Sequence, residues 1–207
     1  MIARIFAEKF RNPTGVFGRI VGNTMAKRNE PAASWTTSLL NIQPDNHILE
    51  IGFGPGVAIQ YASEKAVKGF VAGIDYSQTM VQAARKRNAT AVKAGRVDLK
   101  HGDVTSLPYQ DEAFDRVFTI HCVYFWAKPI DCLKEIRRVL KSGGVIAITL
   151  VPKDKWPKKA TPPPNLFTLY NSDDVMQMLS NTGFHDARVE NYPQSDKFPG
   201  ICVFGVK

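Results

Sequence analysis

Apolar residues in this chain fall in short runs, and amphipathic stretches separate the runs. "HILEI" (47–51) reads as a buried strand, and helical spacing follows over 57–67. "GFVAGID" (69–75) predicts a second strand, and the stretch 77–89 a second helix with Ser77 as its N-cap. "RVDLKHGD" (96–103) and "FDRVFTI" (114–120) read as further strands. A helix over 129–140 starts at Pro129, where proline is tolerated, and "KSGG" is expected to close it by glycine capping. "VIAITLV" (145–151) is a fully apolar strand. Strand and helix in alternation mean a parallel sheet covered on both faces.

The two ends depart from this rhythm. Ile2, Ile5, Phe6 and Phe10 sit at helical spacing, "NPTG" (12–15) interrupts them, and a separate helix is expected over 32–40. After the Pro-rich "ATPPPNL" (160–166), the stretch 172–183 reads as a helix with Ser172 as N-cap and Gly183 as C-cap. "FHDARVEN" and "GICVFGVK" then predict two strands, close enough in sequence to pair antiparallel at a sheet edge. There is no internal repeat and no linker to split the domain.

Composition narrows the class. The 207 residues are 44% hydrophobic and 22% charged, ordinary for one globular domain. No apolar run approaches the ~20 residues of a membrane span. The charged N-terminus does not read as a secretory signal. Cys122, Cys132 and Cys202 form no CxxC pair, which predicts reduced thiols, a cytoplasmic setting and no structural zinc. The net charge of +8 raises nucleic acid as a partner. Only "KDKWPKK" (153–159) clusters the charge, and no nucleic-acid-binding signature accompanies it, so a solvated basic face is preferred.

The chemistry centres on "LEIGFGPGVAI" (49–59). A dinucleotide turn spaces its glycines G-x-G-x-x-G. Here Gly52, Gly54 and Gly56 give G-x-G-x-G, and Val57 occupies the place of the third glycine. Glu50 at the loop mouth would repel a pyrophosphate but suits an ammonium group. Asp75 ends the next strand, where a carboxylate can accept from both ribose hydroxyls. Asp103 ends the third and could accept from an adenine amino group. Each has a structural alternative: a tight turn for the glycines, a helix cap for Asp75, a turn acid for Asp103.

With these segments in order, the chain resembles class I S-adenosylmethionine-dependent methyltransferases, in particular the small-molecule branch of the ubiquinone/menaquinone-biosynthesis type. The matching pieces are "LEIGFGPG", "GIDYSQTMVQAARKRN", "VDLKHGDVTSLPYQDEAFDRVF" and "CLKEIRRVLKSGGVIAITL", spanning most of 47–151. The resemblance implies an α/β, Rossmann-like fold. Its seven-stranded, mostly parallel sheet has the order 3-2-1-4-5-7-6, with helices on both faces. It implies one methyltransferase domain over 1–207, with a helical lid or cap region at 1–45 and the core at 46–207. S-adenosylmethionine is the implied cofactor and S-adenosylhomocysteine its product. The implied cofactor-binding set is Glu50, Gly52, Phe53, Gly54, Gly56, Asp75, Tyr76, Gly102, Asp103, Val104 and His121. The glycines would face the methionine part, Asp75 the ribose, Tyr76 the adenine ring, and Asp103 with Val104 its edge.

The implied reaction chamber is "HCVYFWAKP" (121–129). His121 is a candidate catalytic base, its ordinary pKa being near neutrality, or a cofactor contact through its backbone. Tyr124, Phe125 and Trp126 either pack the core or wall an apolar acceptor, and Cys122 reads as a core filler. The segment to Trp35 and the segment 152–169 are the candidate lids. A small-molecule methyl acceptor is expected, with no metal. A non-catalytic binding module remains an alternative, and Val57 and Glu50 disfavour a nicotinamide oxidoreductase.

Overall fold

The computed structural model describes residues 15–157, 167–193 and 199–207, with side chains from residue 24 onward. The expected helix at 2–10, most of "NPTG" and the Pro-rich segment 160–166 lie outside the described residues. Seven strands make one sheet: β1 (His47–Ile51), β2 (Phe70–Asp75), β3 (Val97–His101), β4 (Phe114–Ile120), β5 (Leu140–Leu150), β6 (His185–Asn191) and β7 (Ile201–Val206). Their order is β3-β2-β1-β4-β5-β7-β6. The first five are parallel, and β7 runs antiparallel to both β5 and β6, as expected.

Alternation along the strands separates two cores. Leu49, Ile51 and Val117 face α5 (Pro129–Val139) and α6 (Ser172–Asn181), meeting Leu133, Ile136, Val175 and Leu179. Ile48 and Phe118 face the opposite layer of α1 (Gly15–Leu39), α2 (Val57–Lys65) and α3 (Gln78–Arg87). Small residues line that layer, among them Ala33, Ala58, Ala62 and Ala84, so the helices sit close to the sheet.

Four local expectations are corrected. The helix expected over 32–40 is the end of α1, which runs unbroken through Pro31. Buried neighbours after the proline outweigh its missing N–H: Ala32, Ala33, Thr36 and Thr37 are all at most 3% exposed. Thr36 Oγ1 bonds Thr149 Oγ1 at 2.7 Å, and Lys65 Nζ donates to Thr37 O at 2.9 Å. "KSGG" is no helix cap. Leu140 is already extended, and Gly143, at φ 74°, donates its N–H to Lys207 O within an irregular start of β5. The helix at 77–89 divides, because Asn88 ends α3 and a short α4 (Ala89–Lys93) follows. Asn171, not Ser172, caps α6, with its N–H on Asp174 Oδ2 at 2.8 Å. Ser77 does cap α3, accepting from Met80 N.

Candidate active site

Beyond the carboxyl ends of β1, β2 and β4, where the strand order reverses, lies a crevice of about 620 Å³. Open α/β sheets bind ligands at this switch point, and the volume is that of a small-molecule site. The glycine turn forms one wall. Gly52, Gly54 and Gly56 take φ of 71°, 51° and 77°, a region costly for side-chain-bearing residues. Their environments differ. A Cβ on Gly52 would collide with Cys122, and one on Gly56 would come within 2.7 Å of Ala84 Cβ. A Cβ on Gly54 would meet no atom within 4 Å among the described residues. Gly52, Phe53 and Gly54 line the crevice, whereas Gly56 packs α2 against α3.

Asp75 ties the turn to β2. Its Oδ2 accepts from Gly54 N and its Oδ1 from Ser77 N, both at 2.8 Å. The helix-side bond is therefore real, and each oxygen still has a lone pair for a further donor. Burial raises the Asp75 pKa, and the two backbone bonds oppose the shift. Glu50 is 3% exposed. Burial first, and the Asp75 carboxylate second, raise its pKa well above the usual range, while a bond from the Ile59 amide in the first turn of α2 opposes them. Glu50 Oε2 finds no hydrogen-bond partner among the described residues.

Tyr76, Gly102, Asp103 and Val104 all line the far end. Tyr76 is 52% exposed and borders the crevice. Asp103 Oδ1 accepts from Thr105 N and Oγ1, so it does close a turn, with Oδ2 remaining.

His121 lines the crevice after β4 at φ 55°, strained backbone for a side chain of this size. Its N–H donates to Thr149 O at 2.9 Å. Desolvation inside the crevice lowers its pKa to about 4, helped by the Arg28 charge. The imidazole is thus neutral near pH 7, a weaker base than its ordinary pKa suggested. The aromatic run divides: Tyr124 is buried with its hydroxyl on Val151, while Phe125 and Trp126 reach the crevice. Burial pushes the Cys122 thiol up to about 12, in keeping with a filler.

A family model described as "Methyltransferase domain" matches residues 49–148. An uncharacterized methyltransferase of Bacillus subtilis, YdaC, is 33% identical over 135 residues, covering 65% of this chain and 72% of that protein. The chain belongs to the methyltransferase family. The methyltransferase is also 30% identical over 106 residues to the ubiquinone/menaquinone biosynthesis C-methyltransferase UbiE of Geotalea daltonii, covering 51% of this chain but 45% of that one. It spans about half the length of that relative. The solved SAM-dependent methyltransferase of Aquifex aeolicus shares the fold, with a TM-score of 0.71 at 21% identity over 98% of this chain and 97% of that one. The enzyme is S-adenosylmethionine-dependent. Its residues fit the cofactor: the buried Glu50 carboxyl, whose Oε2 has no partner among the described residues, suits an ammonium, and the turn at Gly54 leaves room among those residues beside the backbone.

Sequence reasoning named the segment to Trp35 as a candidate lid and 121–129 as the chamber, but did not single out the following wall residues. Met25, Asn29 and Ala33, with Ala26, bring α1 over the crevice, and Lys128, Asp131 and Cys132 bring the start of α5. Met25, Asn29 and Ala33 are spaced by four, one face of a helix, and that spacing was the available signal. The segment 152–169 contributes no residue to this wall among its described residues.

Proposed function

We propose that the methyltransferase transfers the methyl group to a small-molecule acceptor by in-line displacement. The observation that carries this reading is the α1 face over the crevice. Met25, Ala26 and Ala33 line the crevice together with Phe125 and Trp126, making a mostly apolar chamber that the glycine turn also lines. Such a chamber holds a small acceptor away from water.

The cofactor supplies an electrophilic methyl on a sulfonium. Glu50 takes its ammonium, Asp75 its ribose hydroxyls, and Tyr76 with Asp103 and Val104 its adenine. Phe53 and Gly102 shape the two turns, and Gly56 supports them from behind. Neutral His121 positions the reactants, held by Thr149 through its backbone. A base role is weaker, since a group titrating at about 4 has little driving force for taking a proton at neutrality. Residues 1–45 serve as the cap of a single domain whose core is 46–207.

No described helix is long and apolar enough to cross a membrane. Three free cysteines accord with a cytoplasmic setting. Incubation with methyl-labelled cofactor and a cell extract, then separation by size, tests the reading. Enzyme-dependent label in a low-molecular-mass product other than the cofactor supports it. Label confined to RNA or protein overturns it.

A further inference from the structure

Two consecutive carbonyls at the end of β2 are held from β3 in different ways. Gly102 N donates to Asp75 O at 3.0 Å, the last backbone rung between the strands. One residue further, the side chain takes over: His101 Nε2 lies 3.0 Å from Tyr76 O. A carbonyl only accepts, so Nε2 carries the hydrogen. Asp75 and His101 are register partners, which brings the imidazole within reach of the next peptide. The Tyr76 and His101 rings lie 6.3 Å apart, centroid to centroid.

That next peptide matters for the site. Tyr76 C=O and Ser77 N–H belong to one planar unit. Its oxygen is held by His101, and its N–H donates to Asp75 Oδ1 at 2.8 Å. Rotation of this plane would withdraw the donor from Asp75 and leave the carboxylate anchored only through Oδ2 to Gly54 N.

We propose that His101 is a positioning residue for the ribose of the cofactor, orienting the Asp75 carboxylate through the Tyr76–Ser77 peptide. This rests on the reading that Asp75 holds the ribose. His101 touches neither the cofactor nor the acceptor in this role. It fixes the acceptor lone pairs of Asp75 before the nucleoside arrives, so that less freedom is lost on binding.

Calorimetric titration of the whole chain with S-adenosylhomocysteine, and separately with adenosine, tests the inference. His101→Ala should weaken both by the same factor, about 3–10-fold, the loss of one net hydrogen bond. His101→Gln, whose side-chain amide can donate to the same carbonyl, should recover most of the loss. Asp75→Ala serves as the reference. Should His101→Ala stay within about twofold of wild type while Asp75→Ala weakens binding, the inference is overturned and the ribose reading stands. Equal weakness of His101→Gln and His101→Ala would overturn it too, because the hydrogen bond would not be the cause. An unchanged affinity in Asp75→Ala removes the ribose reading itself, and the inference with it.

Discussion

Asp75 Oδ2 and Gly54 N are joined by a 2.8 Å hydrogen bond across 21 positions of sequence. The acid at the end of β2 and the middle of the glycine turn therefore form one unit. Asp75→Ala should weaken S-adenosylhomocysteine by about 1.5–3 kcal/mol, the range for hydrogen bonds to a charged group. It should also lower the melting temperature, because Gly54 N and Ser77 N lose their acceptor. Asp75→Asn should be little better. An amide has one oxygen for two N–H donors, and its NH₂ would face the second. Calorimetry and a thermal melt on both variants check this; a fully active Asn variant would contradict it.

Gly54 and Gly56 should respond differently to alanine. At Gly56 the new methyl collides with Ala84 and Asn88, so stability should fall, by roughly 1–3 kcal/mol. At Gly54 the methyl meets no atom of the described residues and enters the crevice, so cofactor affinity should fall more than stability does. Paired denaturant and binding titrations separate the two. A Gly54→Ala protein that binds normally would remove the turn from the site.

How much of this the sequence carried depends on the range of the interaction. "FDRVFTI" matched β4 residue for residue, since its second half, Val117 to Ile120, is buried on both faces and is mostly apolar. The glycine spacing located the turn for the same reason. The continuity of α1 through Pro31 was not legible, because it is decided by contacts such as Thr36 with Thr149, 113 positions away. Gly56 looked like its two neighbours, and only its packing on Ala84 and Asn88 distinguishes it. The depressed basicity of His121 depends on burial and on Arg28, neither of which its own segment encodes.

Below the raised pKa of Glu50, cofactor binding should release a proton. Burial first and the Asp75 charge second raise the Glu50 pKa well above the usual carboxylate range, and an ammonium against it would favour the ionised form. Affinity should then rise as pH climbs toward the raised pKa and level off once it is passed. The sign for folding is opposite. Because the folded pKa is raised, the stability from Glu50 is complete below its unfolded pKa and is lost as pH rises through the folded one. Binding heats measured in buffers of different ionisation enthalpy should diverge for wild type and converge for Glu50→Gln. Identical wild-type heats in all buffers would refute the linkage.

His121 should not give the rate a limb near neutrality. With its pKa lowered to about 4, the ring stays neutral from there upward. In stability the unfolded chain binds more protons between about 4 and 6.5, so the His121 contribution worsens as pH falls through that window. His121→Ala should lower turnover and cofactor affinity together and leave the shape of the pH–rate profile above 5 unchanged. Loss of a neutral limb with constant affinity would instead mark a base.

The most direct measurement is a crystal structure with S-adenosylhomocysteine bound. The ribose hydroxyls should lie about 2.6–3.2 Å from the Asp75 carboxylate, with its bonds to Gly54 N and Ser77 N retained, and the ammonium should lie on the Glu50 side of the glycine turn. A nucleoside bound elsewhere, with Asp75 still bonded only to Gly54 and Ser77, would contradict the site.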